Sequence, residues 1–295
     1  MKVCLVNPRL EGPYPPLGIT YLSAYLKKYG QNDYEVKVID GNCSEDIIDE
    51  IIKFGPSVVG FTALSPQIND AVALSNILKS KEPEVLQVIG GIHVSAAPEH
   101  TLGKGSFDLA IIGEGEETFK NIVDGYFEQR KARDFYLRLE GIAFLDNNKL
   151  VYNPRRKEIE NLDSIPFPER PLLKMDYYLS QYLIIRGLFG NRIATVHTSR
   201  GCPYDCVFCS CNIISKKVRY FSVEYVISEV KELIDKYKIK AIFFTDDTFI
   251  LNKKRVREIC QRFIEEGINK KVKWEAQGRA NLIDWADLGM LKLMK

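Results

Sequence analysis

The residues best suited to chemistry lie in one short stretch, Thr198-Ser199-Arg200-Gly201-Cys202-Pro203-Tyr204-Asp205-Cys206-Val207-Phe208-Cys209. Its three thiols, at Cys-x3-Cys-x2-Cys spacing, follow an apolar run at 193–196, so they fall on a loop just past an expected strand. Thiolates this close in sequence can converge on one soft metal centre, either zinc or an iron–sulfur cluster. Three ligands leave one iron of a [4Fe–4S] cluster without a protein ligand, open to a second molecule. A zinc knot would instead recruit Cys211, two residues on, as a fourth ligand. Zinc sites more often use paired Cys-x2-Cys units, which weighs toward the cluster.

Elements in βα order must position this loop. Helices at 223–237 and 253–266 alternate with strands at 241–245 and 272–276, and an amphipathic segment covers 283–294. This is the start of a (β/α) barrel, whose active site lies at the C-terminal ends of its strands. The cysteine loop follows the first strand, Asp246 and Asp247 the second, and Arg279 the third. Polar groups converging on one face suit a charged ligand, although Asp246 or Asp247 would equally serve to cap the next turn.

The first third of the chain alternates strands at 3–6, 36–39, 58–62, 85–89 and 109–112 with helices at 17–29, 44–52 (capped by Ser44), 70–79 and 116–127. That order predicts an α/β fold with a doubly wound, Rossmann-like parallel sheet. Ligands of such sheets bind beyond the carboxyl ends of the strands. The loops there are Pro16-Leu17-Gly18, Leu64-Ser65-Pro66, Gly90-Gly91-Ile92-His93 and Gly113-Glu114-Gly115-Glu116. Glycine lets backbone approach a bulky ligand, but each loop alone would pass as an ordinary tight turn. A β-hairpin across Asp146-Asn147-Asn148 and a proline-punctuated connection at 162–171 follow. The expected domains are therefore 1–135, a hairpin and linker at 136–190, and a partial barrel at 191–295. The apolar run 179–188 would pack between domains or near a substrate.

At 295 residues the chain has room for about two domains. A formal charge of +2 gives no electrostatic footprint for nucleic acid. Seven cysteines, an odd number with three in one cluster, do not form a disulfide framework and fit a reducing compartment. No apolar run approaches the roughly 18 residues of a membrane span, and the N-terminus, broken at Pro8, does not resemble a signal peptide. The expected location is cytoplasmic.

The cysteine stretch, with aromatic Phe208 before the third thiol, resembles the signature of the radical S-adenosylmethionine (radical SAM) enzymes. The resemblance implies that Cys202, Cys206 and Cys209 hold a [4Fe–4S] cluster whose open iron binds the amino and carboxylate groups of S-adenosylmethionine. Cleavage of the sulfonium then gives a 5′-deoxyadenosyl radical that takes hydrogen from a substrate carbon. It further implies that Asp247 helps hold the amino group, that Arg279 faces the carboxylate, and that Glu229 assists in binding. Taken together, the strand-end loops over about residues 1–130 resemble the cobalamin-binding domain of one branch of that family, the matching parts being Pro16-Leu17-Gly18, Gly90-Gly91-Ile92-His93 and Gly113-Glu114-Gly115-Glu116. By this resemblance Leu17, Gly18, Ser65, Gly90, Gly91, His93, Gly113, Glu114 and Gly115 border the cobalamin. The Asp-x-His-x-x-Gly motif that supplies a lower cobalt ligand elsewhere is absent after the first strand; His93 and His100 follow the fourth, where His93 is expected to be solvated or to stabilise its loop rather than to ligate cobalt.

Together these features imply a cobalamin-dependent radical SAM enzyme, a methyltransferase acting on an unactivated carbon. The alternatives are a cobalamin-associated radical cyclase or a catalytically silent cluster- or corrinoid-binding fragment. The implied partners are a small-molecule or peptide substrate and an electron donor such as flavodoxin or ferredoxin. Because only three βα units are present, the barrel is expected to be truncated, and a second chain is a possible source of the rest.

Overall fold

The computed structural model describes residues 1–129, 133–181, 183–185, 188–190 and 192–294. They divide into two compact units, one formed by Met1–Glu11, Pro16–Ile159 and Ile165–Lys174, the other by Gly12–Pro15, Glu160–Ser164 and Met175–Lys295. The apolar run at 179–188 lies partly outside the described residues.

In the first unit, strands β1 (Lys2–Asn7), β2 (Glu35–Asp40), β3 (Val58–Thr62), β4 (Leu86–Gly90), β5 (Leu109–Ile111), β6 (Ile142–Asp146) and β7 (Lys149–Tyr152) form one sheet in the order β2-β1-β3-β4-β5-β6-β7. The first five run parallel, and β6 and β7 are antiparallel. The strand direction of travel reverses at β1, which places the topological switch point between β1 and β3. Alternation along β1 sends Val3 and Leu5 to one face and Cys4 and Val6 to the other, and each face has its own core.

Helices α1 (Leu17–Tyr29) and α6 (Glu116–Gln129) pack against each other. Between them in sequence come α2 (Ile47–Phe54), α3 (Ile68–Lys81), α4 (Ile92–Ala96) and α5 (Pro98–Lys104). The cap of α2 is Asp46, which accepts from Asp49 N, and not the expected Ser44. Ser44 instead donates to Glu50 Oε1. Both residues belong to the cap-forming class, and local geometry chose between them. The hairpin turns on Asn147 and Asn148, both at positive φ, as a two-residue connection requires. Through β6, which pairs antiparallel with β5, the hairpin extends the sheet.

In the second unit, β8 (Ile193–Val196), β9 (Ala241–Phe244) and β10 (Lys273–Ala276) form a parallel three-stranded sheet in that order. Helix α7 (Val223–Tyr237) is capped by Ser222 and α8 (Lys253–Glu265) by Asn252, each side chain accepting from a backbone N–H three residues on. The segment expected to be one helix over 283–294 is a 3-10 turn at Trp285–Asp287 followed by Leu288–Met294.

Candidate functional site

The cysteine loop begins where β8 ends, and its base is fixed by buried polar contacts. Asp246, 1% exposed after β9, accepts from Thr198 N at 3.1 Å, from Thr198 Oγ1 at 3.0 Å and from Ser199 Oγ. Arg255 of α8 donates to Thr198 Oγ1 at 3.0 Å, to Thr198 O at 2.9 Å and to Phe221 O at 3.0 Å. Burial raises the Asp246 carboxyl above the usual aspartate range, and Ser199, Thr198 and Arg255 pull it part of the way back. Gly201 then turns the chain at φ +88°, where a Cβ would run into Lys217 O.

Beyond this base the thiols separate. Cys202 is buried, with Sγ 3.9 Å from Thr248 Oγ1. Cys206 Sγ accepts from Arg279 Nη1 at 2.9 Å, and the Arg279 guanidinium lies 4.0 Å from the Tyr204 ring centroid. Cys211 donates to Asp247 Oδ1 at 3.1 Å, and its thiol is raised by burial and by that hydrogen bond. Val207 and Phe208, at the tip, are fully solvent-exposed.

The expected residues Cys206 and Arg279 are thus brought together, and Asp247 stands against Cys211. Of the two aspartates after β9, Asp246 anchors the loop base and Asp247 accepts from Cys211, two residues past the motif. Glu229 is fully buried on α7 with Val226 and Val230. Arg255 had no signature in the sequence beyond being a cation on an amphipathic helix, and Thr198 none beyond preceding the motif.

Among the described residues, no three His, Cys, Asp or Glu groups are gathered in metal-binding geometry. The donor set nonetheless fits an iron–sulfur cluster. All seven cysteines are free thiols, and the three motif thiols lie on a loop without helix or strand between Gly201 and Ser210.

In the first unit the glycine turns meet at the carboxyl edge of the sheet. Asn7, after β1, donates to Asp40 Oδ1 at 3.0 Å and accepts from Gln67 Nε2 at 2.9 Å. Gly91, at φ +110°, passes so near β3 that a Cβ would lie 2.7 Å from Ala63 O. Ser95 joins two turns, donating to Gly91 O at 3.1 Å and accepting from Gly113 N at 3.0 Å. Gly113 has φ +87°. Glu114 accepts from Ile159 N at 3.1 Å, and a Cβ on Gly115 would touch Leu22 of α1 at 3.2 Å. Gly90 has a Cβ distance of 3.6 Å to Ile111, and at Gly18 nothing lies within 4 Å. Leu17, beside it, is buried.

His93 Nδ1 is 3.0 Å from Ser65 Oγ, so the expected loop-stabilising contact forms and links the turns after β3 and β4. Its Nε2 is buried without a hydrogen-bond partner among the described residues. Burial and the neighbouring His100 hold its pKa below the ordinary histidine value, favouring neutral imidazole. Open space at Gly18 and an orphaned ring nitrogen on the same edge fit a large, polar-rimmed ligand such as a corrinoid.

The B12 binding domain family matches residues 3–123, and the radical SAM superfamily matches residues 196–288. An uncharacterized methyltransferase of Pyrococcus horikoshii is 38% identical over 95% of this chain and 60% of its own length. The anaerobic magnesium-protoporphyrin IX monomethyl ester cyclase of Cereibacter sphaeroides is 28% identical over 93% of this chain and 45% of its own. The chain therefore spans about half the length of these two curated relatives. Among solved structures, the cobalamin-dependent S-adenosylmethionine radical enzyme OxsB, with aqua-cobalamin bound, superimposes with a TM-score of 0.79 at 20% identity, covering 99% of this chain and 41% of OxsB. The second domain implies a [4Fe–4S] cluster and S-adenosylmethionine, and the first implies cobalamin. The chain thus carries a B12-binding domain followed by a radical SAM domain, and in this it is similar to the cobalamin-dependent radical SAM enzymes.

Proposed function

We propose that this chain is the cofactor-binding portion of a cobalamin-dependent radical SAM methyltransferase acting on an unactivated carbon. The observation that carries this reading is Arg279 donating to the motif thiol Cys206, with Asp247, at the preceding strand end, bonded to Cys211 two residues past the motif. When bound, the cluster and cobalamin would supply reductive cleavage of S-adenosylmethionine and methyl delivery. Cys202, Cys206 and Cys209 hold the cluster. Asp247 accepts from the ammonium of S-adenosylmethionine, and the Arg279 guanidinium pairs with its carboxylate. Glu229 supports the site from within α7. Asp246 and Arg255 hold the loop base in place while its tip rearranges. In the first unit the backbone at Gly18, Gly90, Gly91, Gly113 and Gly115 admits the corrinoid, with Leu17, Ser65, His93 and Glu114 on its border. A soluble low-potential protein, a flavodoxin or ferredoxin, delivers electrons in the cytoplasm. No helix among the described residues is long and apolar enough to cross a membrane.

The test is anaerobic incubation of the reconstituted chain with cobalamin, reductant and S-adenosylmethionine bearing a labelled methyl group. Formation of 5′-deoxyadenosine and labelled methylcobalamin is expected. Absence of both from a chain carrying cluster and cobalamin contradicts the reading. Deoxyadenosine without methyl transfer would favour the second reading, radical cyclisation, to which the similarity to the Cereibacter cyclase points.

A further inference from the structure

Residues 153–159, in the first unit, carry no regular secondary structure and include three successive cations, Arg155-Arg156-Lys157. The stretch is held on both sides of them. Pro154 O accepts from Gly141 N at 2.8 Å, and Ile159 N donates to Glu114 Oε2 at 3.1 Å. Arg156 packs inward, its Nε donating to Thr118 Oγ1 at 2.9 Å and its Nη1 pairing with Glu117 at 3.1 Å. Arg155 is exposed, and its guanidinium lies beside the Gly113 turn. A Cβ at Gly113 would be 3.8 Å from Arg155 Nε and 3.9 Å from Nη2. We propose that Arg155 binds the corrinoid, donating from its guanidinium to a carboxamide oxygen on the rim of the ring. This rests on the cobalamin reading above.

Position, chemistry and charge support the assignment. Gly113 follows β5 at the carboxyl edge of the sheet and is joined through Ser95 to the Gly91 turn after β4. Arg155 therefore stands on the edge where a ligand of such a sheet binds. A corrin ring is rimmed with acetamide and propionamide groups, whose carbonyl oxygens need N–H donors when they leave water. The planar fork of arginine offers several donors in one fixed plane. Cobalamin also carries a phosphate in its nucleotide tail, but Glu114, Glu116 and Glu117 follow Gly113 directly, and their carboxylates would repel it. A neutral oxygen is the acceptor that this mixture of charges suits. The contacts of Pro154, Arg156 and Ile159 already fix the backbone around Arg155, so little chain freedom is lost when the ligand arrives.

The test is equilibrium dialysis of the full chain, wild type against Arg155→Ala, Arg155→Gln and Lys157→Ala, with two corrinoids. Hydroxocobalamin has the whole nucleotide tail, whereas cobinamide keeps the ring and its carboxamides but lacks the phosphate. Arg155→Ala is expected to bind both about tenfold more weakly than wild type, the scale of one hydrogen bond from a charged donor. Arg155→Gln keeps N–H donors without the charge and should recover part of that loss. Lys157→Ala removes a neighbouring charge and should bind as wild type. Urea midpoints of all four chains are expected to agree, because Arg155 is exposed. Unchanged binding by Arg155→Ala would overturn the proposal, as would an equal loss in Lys157→Ala, which would show a general effect of charge. A loss confined to hydroxocobalamin would place the contact on the phosphate and overturn the carboxamide assignment. A loss that tracks a lowered urea midpoint would make Arg155 structural and overturn it too. A wild-type chain that binds neither corrinoid would instead overturn the cobalamin reading, and that result needs no variant.

Discussion

Arg279 donates from Nη1 to Cys206 Sγ at 2.9 Å, tying the end of the third parallel strand of its sheet to the middle cysteine of the motif. The same guanidinium stacks on Tyr204 at 4.0 Å, so its plane is fixed by an aromatic face on the loop it contacts. A planar fork held this way is suited to a carboxylate, which a lysine ammonium would meet as a point charge only.

Replacing this arginine separates charge from shape. Arg279→Ala is expected to weaken S-adenosylmethionine binding roughly 10- to 100-fold, the scale of a lost charge-assisted hydrogen bond. Arg279→Lys should recover only part of that loss. Equilibrium binding to chains of equal iron content measures both, and lysine binding as tightly as arginine would remove the argument from geometry.

Asp246 and Arg255 share Thr198 as a partner, in a buried network at the base of the loop. Asp246→Ala would leave Thr198 N and the Thr198 and Ser199 hydroxyls without their buried acceptor and is expected to cost about 1–3 kcal/mol. Urea unfolding measures this. A double variant with Arg255→Met should cost less than the sum of the singles, because the two charges compensate one another.

Burial pushes the Cys4 thiol up to about 12 and that of Cys260 to about 11, from an ordinary value of 9.0. Both folded-state values lie above the unfolded ones, so the stability they contribute is present below pH 9 and lost as pH rises through the interval to about 11 or 12. At pH 8.5 the metal-free chain should therefore be alkylated at exposed Cys209 but not at Cys4 or Cys260. Mass spectrometry after brief iodoacetamide treatment reads this directly. In urea all seven should react.

The parallel sheet was legible because buried strands such as Val3–Val6 are continuous apolar runs separated by helical spacing. The cysteine loop was legible because metal chemistry demands a fixed spacing. The role of the hairpin was not, since nothing local in 142–152 says whether two antiparallel strands stand alone or extend a neighbouring sheet. Nor could the sequence divide labour between Asp246 and Asp247. Adjacent residues on an extended segment point opposite ways, and only the tertiary packing of Thr198 and Arg255 shows which one turns inward. Cys211 was visible as a thiol, but its hydrogen bond to Asp247 joins residues 36 apart in sequence.

The glycines give an independent check on the corrinoid edge. Gly91→Ala would force a side chain into Ala63 O at φ +110° and is expected to destabilise the fold by about 1–3 kcal/mol. Gly18→Ala meets nothing within 4 Å inside a helix and should stabilise by about 0.4–1 kcal/mol. If Gly18 admits the corrinoid, that more stable variant will bind hydroxocobalamin less well than wild type. Equal binding would take Gly18 out of the site.

The central assignment, a three-thiol cluster whose fourth iron position S-adenosylmethionine occupies, is tested most directly by low-temperature EPR. The chain is reconstituted anaerobically, reduced, and measured with and without S-adenosylmethionine. A [4Fe–4S] signal whose g values shift when the ligand is added is the expected result. A cluster signal identical in both samples, or no cluster signal at all, would contradict it.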